Sequence, residues 1–334
     1  MDVVVCGAQV PFVRGGAELH MENLVAAFAE AGHRSELVRL PVAWERGRLF
    51  DAPLAWRSVP IDADLVIATN FPSYFVRHPR KVVWLFHQHR GAYDAVDSSW
   101  SDFELDDVSL ADQARLSDWD TRALEEATRI FSTSQVVADR LARFNGLQAT
   151  PLYHPPPLHK RLRPGPFGDY VFCPTRLEAN KRPGVVVRAT SKFHSSTRSI
   201  IAGRGSMELE LDSLASGIPA VEMLGFVSDD ELVERFVNAL AVVYVPADED
   251  YGYVTLQAFY AGKPVITAQD SGGVLEWVED GVTGIVTDGS PEEVADAVDR
   301  LASDPALAKK MGDAGRDRVR SLDWPTVVER LTTG

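Results

Sequence analysis

The sequence predicts an α/β protein built as two Rossmann-like, doubly wound parallel sheets in tandem. Three observations carry that expectation. Short β-branched runs alternate with helical patterns along the chain, the alternation stops once in a proline-rich stretch near the middle, and it then restarts. With 334 residues the chain has room for two such units, each with its own core.

Taken in order, residues 3–6 read as the first strand. Residues 17–31 follow as a helix with Leu24, Val25 and Phe28 on one face, stopped at Gly32. Residues 35–40 form a second strand, 63–69 and 81–86 two more of the buried type, and 129–132 another before a helix over 135–144. Residues 145–168 hold the prolines 155–157, 164 and 166, which cannot continue a helix, so the segment reads as a linker. Strands over 170–173, 199–202, 221–224, 240–245, 263–267 and 283–286 then alternate with helical patterns, and 291–331 reads as helices. This sets an N-terminal domain at 1–160 and a C-terminal domain at 161–320, with the last helix, 321–334, packing back on the first domain. Ligands of such sheets bind at the carboxyl ends of the strands, so two facing units would make a central cleft.

A formal net charge of −14 leaves no broad basic footprint for nucleic acid or anionic lipid, though one local basic pocket could hold a small anion. No apolar run reaches the roughly 18–20 residues of a membrane span, and the N-terminus lacks the pattern of a signal peptide, so a cytoplasmic protein is expected. Cys6 and Cys173 sit in apolar runs and read as reduced core thiols. The acidic stretch 101–125, with Asp102, Glu104, Asp106 and Asp107 at its start, reads as a solvated insertion.

The chain carries no G-x-x-x-x-G-K-[ST] loop, no dinucleotide fingerprint after its first strand and no metal-ligand spacing. Four weaker features remain. The segment Val13-Arg14-Gly15-Gly16-Ala17-Glu18 joins the first strand to the first helix, where close backbone approach and free N–H groups suit a phosphate, or simply a tight turn. Arg176 and Lys181 follow the first strand of the second half and could converge on one anion, or be solvated charges. An acidic cluster, Asp248 to Asp250, precedes Gly252 and an apolar helix, and suits sugar hydroxyls or helix capping. Gly272-Gly273 repeats the glycine-before-helix device.

In combination these features resemble family 4 glycosyltransferases, retaining enzymes of the GT-B fold that use nucleotide sugars. Glu249 to Gln257 resembles the family's E-x7-E motif and is followed by Ala261-Gly262-Lys263-Pro264-Val265-Ile266. Arg176-x4-Lys181 is similar to the diphosphate-binding pair. The turn Gly225-Phe226-Val227 resembles the one that holds the nucleotide base. Gly272, Gly273 and Glu276 resemble the loop near the donor sugar, and His87 the histidine beside it. The resemblance implies His87, Arg176, Lys181 and Glu249 as catalytic residues. It implies Gly15, Gly16, Gly225, Phe226, Val227, Tyr251, Gly252, Tyr253, Val254, Gln257, Gly272 and Gly273 as donor-binding residues. The partners it implies are a UDP-, GDP- or dTDP-linked sugar and an unspecified acceptor hydroxyl, with no cofactor and no metal. Closure about the linker and stabilisation of the leaving diphosphate by Arg176 and Lys181 are the implied mechanism.

One departure is plain: the second glutamate of the motif is Gln257. In the family that carboxylate accepts the nucleotide ribose hydroxyls, so Gln257→Glu is expected to tighten donor binding. A nucleotide-sugar 2-epimerase and a non-catalytic nucleotide-sugar-binding protein stay open as alternatives. The first helix carries Glu18, Glu22 and Glu30 and no basic residue, which favours a soluble acceptor.

Overall fold

The computed structural model describes residues 1–12, 15–42, 46–94, 96, 101, 103 and 105–333. Val13, Arg14, Asp102 and Glu104, named above, lie outside the described residues. The chain divides into two compact units, Met1–His154 with Leu322–Gly334, and Pro155–Ser321.

The first unit runs β1 (Asp2–Gln9), α1 (Gly16–Glu30), β2 (Arg34–Pro41), α2 (Asp51–Ser58), β3 (Leu65–Ala68), β4 (Lys81–Leu85), α3 (Asp107–Glu125), β5 (Arg129–Ser132), α4 (Gln135–Asn145) and β6 (Thr150–Pro151). Its sheet is parallel, in the order β2-β1-β3-β4-β5-β6. The strands β3 and β4 are buried along their whole length, as strands covered by helices on both faces must be.

The second unit runs β7 (Tyr170–Pro174), α5 (Pro183–Thr190), β8 (Arg198–Ala202), α6 (Glu208–Ala215), β9 (Val221–Gly225), α7 (Asp229–Asn238), β10 (Ala241–Val243), α8 (Tyr253–Tyr260), β11 (Val265–Ala268), β12 (Gly284–Thr287), α9 (Pro291–Ser303) and α10 (Pro305–Val319). Its sheet is also parallel, in the order β12-β11-β10-β7-β8-β9. The last helix, α11 (Trp324–Thr332), belongs to the first unit. It buries Trp324, Val327, Val328 and Leu331 in one cluster with Val3, Val5, Leu24 and Phe28. Asp323 caps its start by accepting from the Thr326 N–H at 2.7 Å, and Arg129 donates to the terminal carbonyls of Arg330 and Leu331 at 2.8 and 2.9 Å.

Beside α11 lies a buried histidine pair. His20 Nδ1 and His154 Nε2 are 3.0 Å apart, with the rings of Trp84 and Trp324 against them. Burial pushes His20 down to about 3, and burial together with the charge of His20 holds His154 well below its ordinary value.

Two expectations are corrected. The acidic stretch is not a solvated insertion. From Asp107 it forms α3, whose Leu116, Ala123 and Leu124 enter the core, and Tyr93 donates to the buried Asp120 at 2.5 Å. Residues 145–168 are not simply a linker. Thr150 and Pro151 pair with β5, and the proline-rich part is fastened to the second unit. Lys263 Nζ, fully buried, donates to the carbonyls of Gly165 and Pro166 at 3.1 and 2.6 Å and lies over the Phe167 ring. Prolines lack an N–H but keep their acceptor, so side-chain donors hold this strand-free segment in place.

Candidate functional site

In doubly wound sheets the chain opens a crevice where the strand order reverses. In the second unit that reversal falls between β7 and β10. The loop after β7 carries Arg176 and Lys181, and the loop after β10 carries Tyr244 and Glu249. Because every pair in the sheet is parallel, the loops after β9 and β11 lie at the same end.

Arg182 ties these loops together. It takes a left-handed conformation (φ 51°) just before α5, and Pro183 then starts the helix with φ already set. Its guanidinium donates to the carbonyls of Val245 and Pro246 at 2.6 and 2.9 Å, and forks onto both Asp270 oxygens at 2.9 and 2.6 Å. The Ala247 N–H adds a bond to the Asn180 carbonyl at 2.8 Å. The loops after β7, β10 and β11 are therefore one assembly.

At its centre Glu249 accepts on a single oxygen, Oε2, from two donors. One is the Lys181 ammonium, and the other is the Tyr244 hydroxyl at 2.5 Å. Its Oε1 takes no hydrogen bond among the described residues. Burial alone would raise the Glu249 carboxyl. The Lys181 charge and the two hydrogen bonds outweigh it and hold the group below its ordinary range. Burial and the Glu249 charge push the Tyr244 hydroxyl far up, so it stays a donor. Arg176 is exposed, and its guanidinium makes no hydrogen bond or ion pair among the described residues.

The glycines beside Glu249 have steric reasons to be glycine. Gly272 has φ 60°, and a Cβ there would stand 2.7 Å from the Glu249 carbonyl oxygen. A Cβ on Gly273 would stand 2.5 Å from the Asp250 carbonyl oxygen, and the Gly273 N–H donates to the Glu249 carbonyl at 2.7 Å. Gly252, at φ 81°, precedes α8, and a Cβ would meet Val274 at 2.9 Å. Tyr251 is buried between Tyr253 and Trp277, with ring centroids 5.5 and 6.1 Å apart, while Val254 is half-buried in the first turn of α8. Gly225 (φ 64°) ends the edge strand β9, Phe226 is 78% exposed and Val227 is half-buried ahead of α7. Glu276 ends the short helical turn that begins at Gly273.

Gln257 is nine-tenths buried on α8 and donates through Nε2 to the Pro157 carbonyl at 3.1 Å. A glutamate here would set a second acceptor against that carbonyl. The expectation that Gln257→Glu improves the site meets a direct physical objection.

The first unit has its own reversal, between β1 and β3. Gly15 and Gly16 stand at the start of α1, after β1. The Gly15 N–H is already taken by the Glu18 carboxylate at 2.8 Å, which leaves the following first-turn amides of α1 as candidate phosphate donors. His87 lies two residues beyond β4, half-buried, with Nδ1 2.8 Å from the Gln88 carbonyl. His89 stacks on Phe71 at 5.4 Å, and burial with the charge of His87 pushes it down to about 4.

Sequence reading missed Tyr244 and Arg182. Tyr244 sits inside the strand run 240–245, which gave it no separate signal. Arg182 directly follows Lys181, so a dibasic pair was the available signal. Among the described residues no cluster of three or more His, Cys, Asp or Glu could hold a metal ion, and no helix is long and apolar enough to cross a membrane.

Comparison with known proteins relates the second unit to a family. Residues 161–318 match the family described as glycosyl transferases group 1. The alpha-1,3/1,6-mannosyltransferase ALG2 of Dictyostelium discoideum is 37% identical over 93 residues, 28% of this chain and 22% of that protein, so the match spans under a quarter of this curated relative. The sucrose-phosphate synthase of Thermosynechococcus elongatus superposes with a TM-score of 0.80 at 17% identity, covering 99% of this chain and 97% of the other. Anabaena HepE, solved in complex with UDP-glucose, superposes with a TM-score of 0.74 at 17% identity over 99% and 98% of the two chains. The fold is that of the GT-B glycosyltransferases.

Proposed function

We propose, from the premise that the second unit belongs to the glycosyl transferases group 1 family, that this protein is a retaining glycosyltransferase. It moves a sugar from a nucleoside diphosphate donor to an acceptor hydroxyl without a metal ion. The observation that carries this reading is the loop assembly at the β7/β10 reversal. It sets the Lys181 ammonium on a carboxylate with one open oxygen, and the charge of Arg176 on the neighbouring Tyr244.

The roles follow from the chemistry of those groups. Bond cleavage leaves negative charge on the departing diphosphate. Arg176 offers a planar fork to two phosphate oxygens, and Lys181 a point charge on a flexible stem. Fixed cations at the place where charge develops lower the barrier without reorganisation, and they need no metal to do it. Glu249 Oε1 accepts a donor-sugar hydroxyl and helps hold the oxocarbenium-like state. Retention by same-face displacement lets a donor phosphate oxygen take the acceptor proton, so no residue must attack the sugar. The Gly225–Val227 turn and exposed Phe226 hold the base, with Tyr251, Gly252, Tyr253, Val254, Gln257, Gly272 and Gly273 shaping the rest of the donor site. In the first unit His87 orients sugar or acceptor, and the start of α1 at Gly15 and Gly16 supplies amides for phosphate. The donor is UDP-, GDP- or dTDP-linked; HepE was solved with UDP-glucose.

The test is a thermal-shift screen of UDP, GDP and dTDP, followed by incubation with the matching nucleotide sugar. A stabilising diphosphate and slow release of free sugar with the anomer retained support the reading, and activity persists in a chelator. Arg176→Ala lowers diphosphate affinity ten- to hundredfold, on the order of one charge-assisted hydrogen bond, with an unchanged Tm. No shift with any of the three diphosphates overturns the reading, and an epimerised donor replaces it with the epimerase.

A further inference from the structure

Glu249 is held in an asymmetric way that the two cations do not explain. Both of its donors reach the same oxygen. One of them, Lys181, is the group assigned to the departing diphosphate. The other, Tyr244, has no part in the reading above.

Tyr244 follows β10 directly, and its N–H donates to the Ile266 carbonyl at 2.9 Å, so the backbone beneath it is fixed by β11. The ring is 4% exposed. A rigid phenol on a sheet-anchored backbone is a precise holder, whereas the Lys181 ammonium rides on a four-carbon stem. When a diphosphate engages Lys181, Glu249 is left partly buried with its ion partner turned toward phosphate. A buried carboxylate that loses its cation becomes costly unless another donor remains. Tyr244 is that donor.

We propose, building on the donor reading above, that Tyr244 is a positioning residue for sugar transfer. Its hydroxyl keeps Glu249 Oε2 occupied when Lys181 turns to the diphosphate, and so presents Oε1 to a hydroxyl of the donor sugar. The charged and titratable groups around the pair are Lys181, Asp250 next to Glu249, and Arg176 and Cys173 near Tyr244. Burial pushes Cys173 up to about 12, so it stays a neutral thiol. Loss of the Tyr244 hydroxyl therefore moves the Glu249 carboxyl upward, and a site that needs the carboxylate loses activity at a higher pH than before.

The experiment compares wild type with Tyr244→Phe, which removes one oxygen and keeps the ring. Titration calorimetry uses UDP with UDP-glucose, or GDP with GDP-mannose. Affinity for the bare diphosphate stays within about twofold, because no sugar contact is involved. Affinity for the nucleotide sugar falls about tenfold, and the acid limb of kcat/KM moves up by about one pH unit, the size expected for one charge-assisted hydrogen bond. In a Glu249→Gln background, Tyr244→Phe adds nothing, since its effect runs through Glu249. Equal losses for diphosphate and nucleotide sugar with an unmoved acid limb would make Tyr244 merely structural and overturn the proposal, as would losses that add in the double variant. Failure of wild type to bind either pair, or dTDP with dTDP-glucose, sinks the donor reading itself.

Discussion

The two glycine loops that precede helices, one in each unit, look alike in sequence and are unlike in structure. At Gly15 the backbone is extended, and among the described residues a Cβ would meet nothing nearer than the flexible end of Glu18 at 3.6 Å. At Gly272 the φ is 60° and the Glu249 backbone stands in the way at 2.7 Å. The first is a turn that happens to be glycine. The second is glycine because two loops lie backbone against backbone at the place where Glu249 is set. A Gly-Gly before a helix thus carries information only when something packs on it.

The largest effect expected from this contrast is that of Gly272→Ala. It adds a backbone clash to a left-handed φ, costs about 2–4 kcal/mol in urea unfolding of the second unit and abolishes donor turnover. Gly15→Ala costs only about 0.5–1 kcal/mol, the loss of a favourable cap, and spares diphosphate binding. Equal costs at the two positions would erase the distinction.

The units also differ in their response to acid. In the first, His20 and His154 are held neutral, with His20 near 3. In the unfolded chain they titrate near 6.5. The unfolded state therefore binds more protons below about pH 6.5. The stability that depends on this pair is complete above that pH and falls as pH drops toward 3, by up to about 1.4 kcal/mol per pH unit for each histidine, while buried Asp120, raised to about 7, acts in the opposite sense. Fluorescence of Trp84 and Trp324, which touch the pair, reports this unit in urea at pH 7, 6 and 5. His20→Gln reduces the slope; an unchanged slope assigns the acid sensitivity elsewhere.

A smaller effect sharpens the reading of the second unit. Gln257→Glu exchanges the amide bond to the Pro157 carbonyl for two facing acceptors. The expected cost is about 1–2 kcal/mol of stability, with no gain in donor affinity. A tighter donor, measured by calorimetry, would restore the family's ribose contact to this position.

Periodicity and punctuation in the sequence were enough to place every strand of both sheets except β6, together with the long C-terminal helices. Local covalent and steric rules set those features, and they act between near neighbours. The Glu249-x7-Gln257 and Arg176-x4-Lys181 spacings stood out through the family resemblance, and each lies within one loop and helix start. Residues 107–125 read wrongly because an acidic stretch can still turn one apolar face inward, and only Leu116, Ala123 and Leu124 do so. The proline-rich segment read as a linker because its anchor, the Lys263 ammonium, lies about a hundred residues away in the chain. Tyr244 passed unnoticed because a phenol inside an apolar run gives no sign of what its hydroxyl will meet. The sequence by itself therefore determined the two-sheet α/β architecture and the residue types available for chemistry. Which donor reaches which oxygen of Glu249, and which glycines are obligatory, was decided only when parallel strands brought distant loops to one edge. Those contacts depend on separations of a few ångströms across long spans of chain, and no local pattern encodes them.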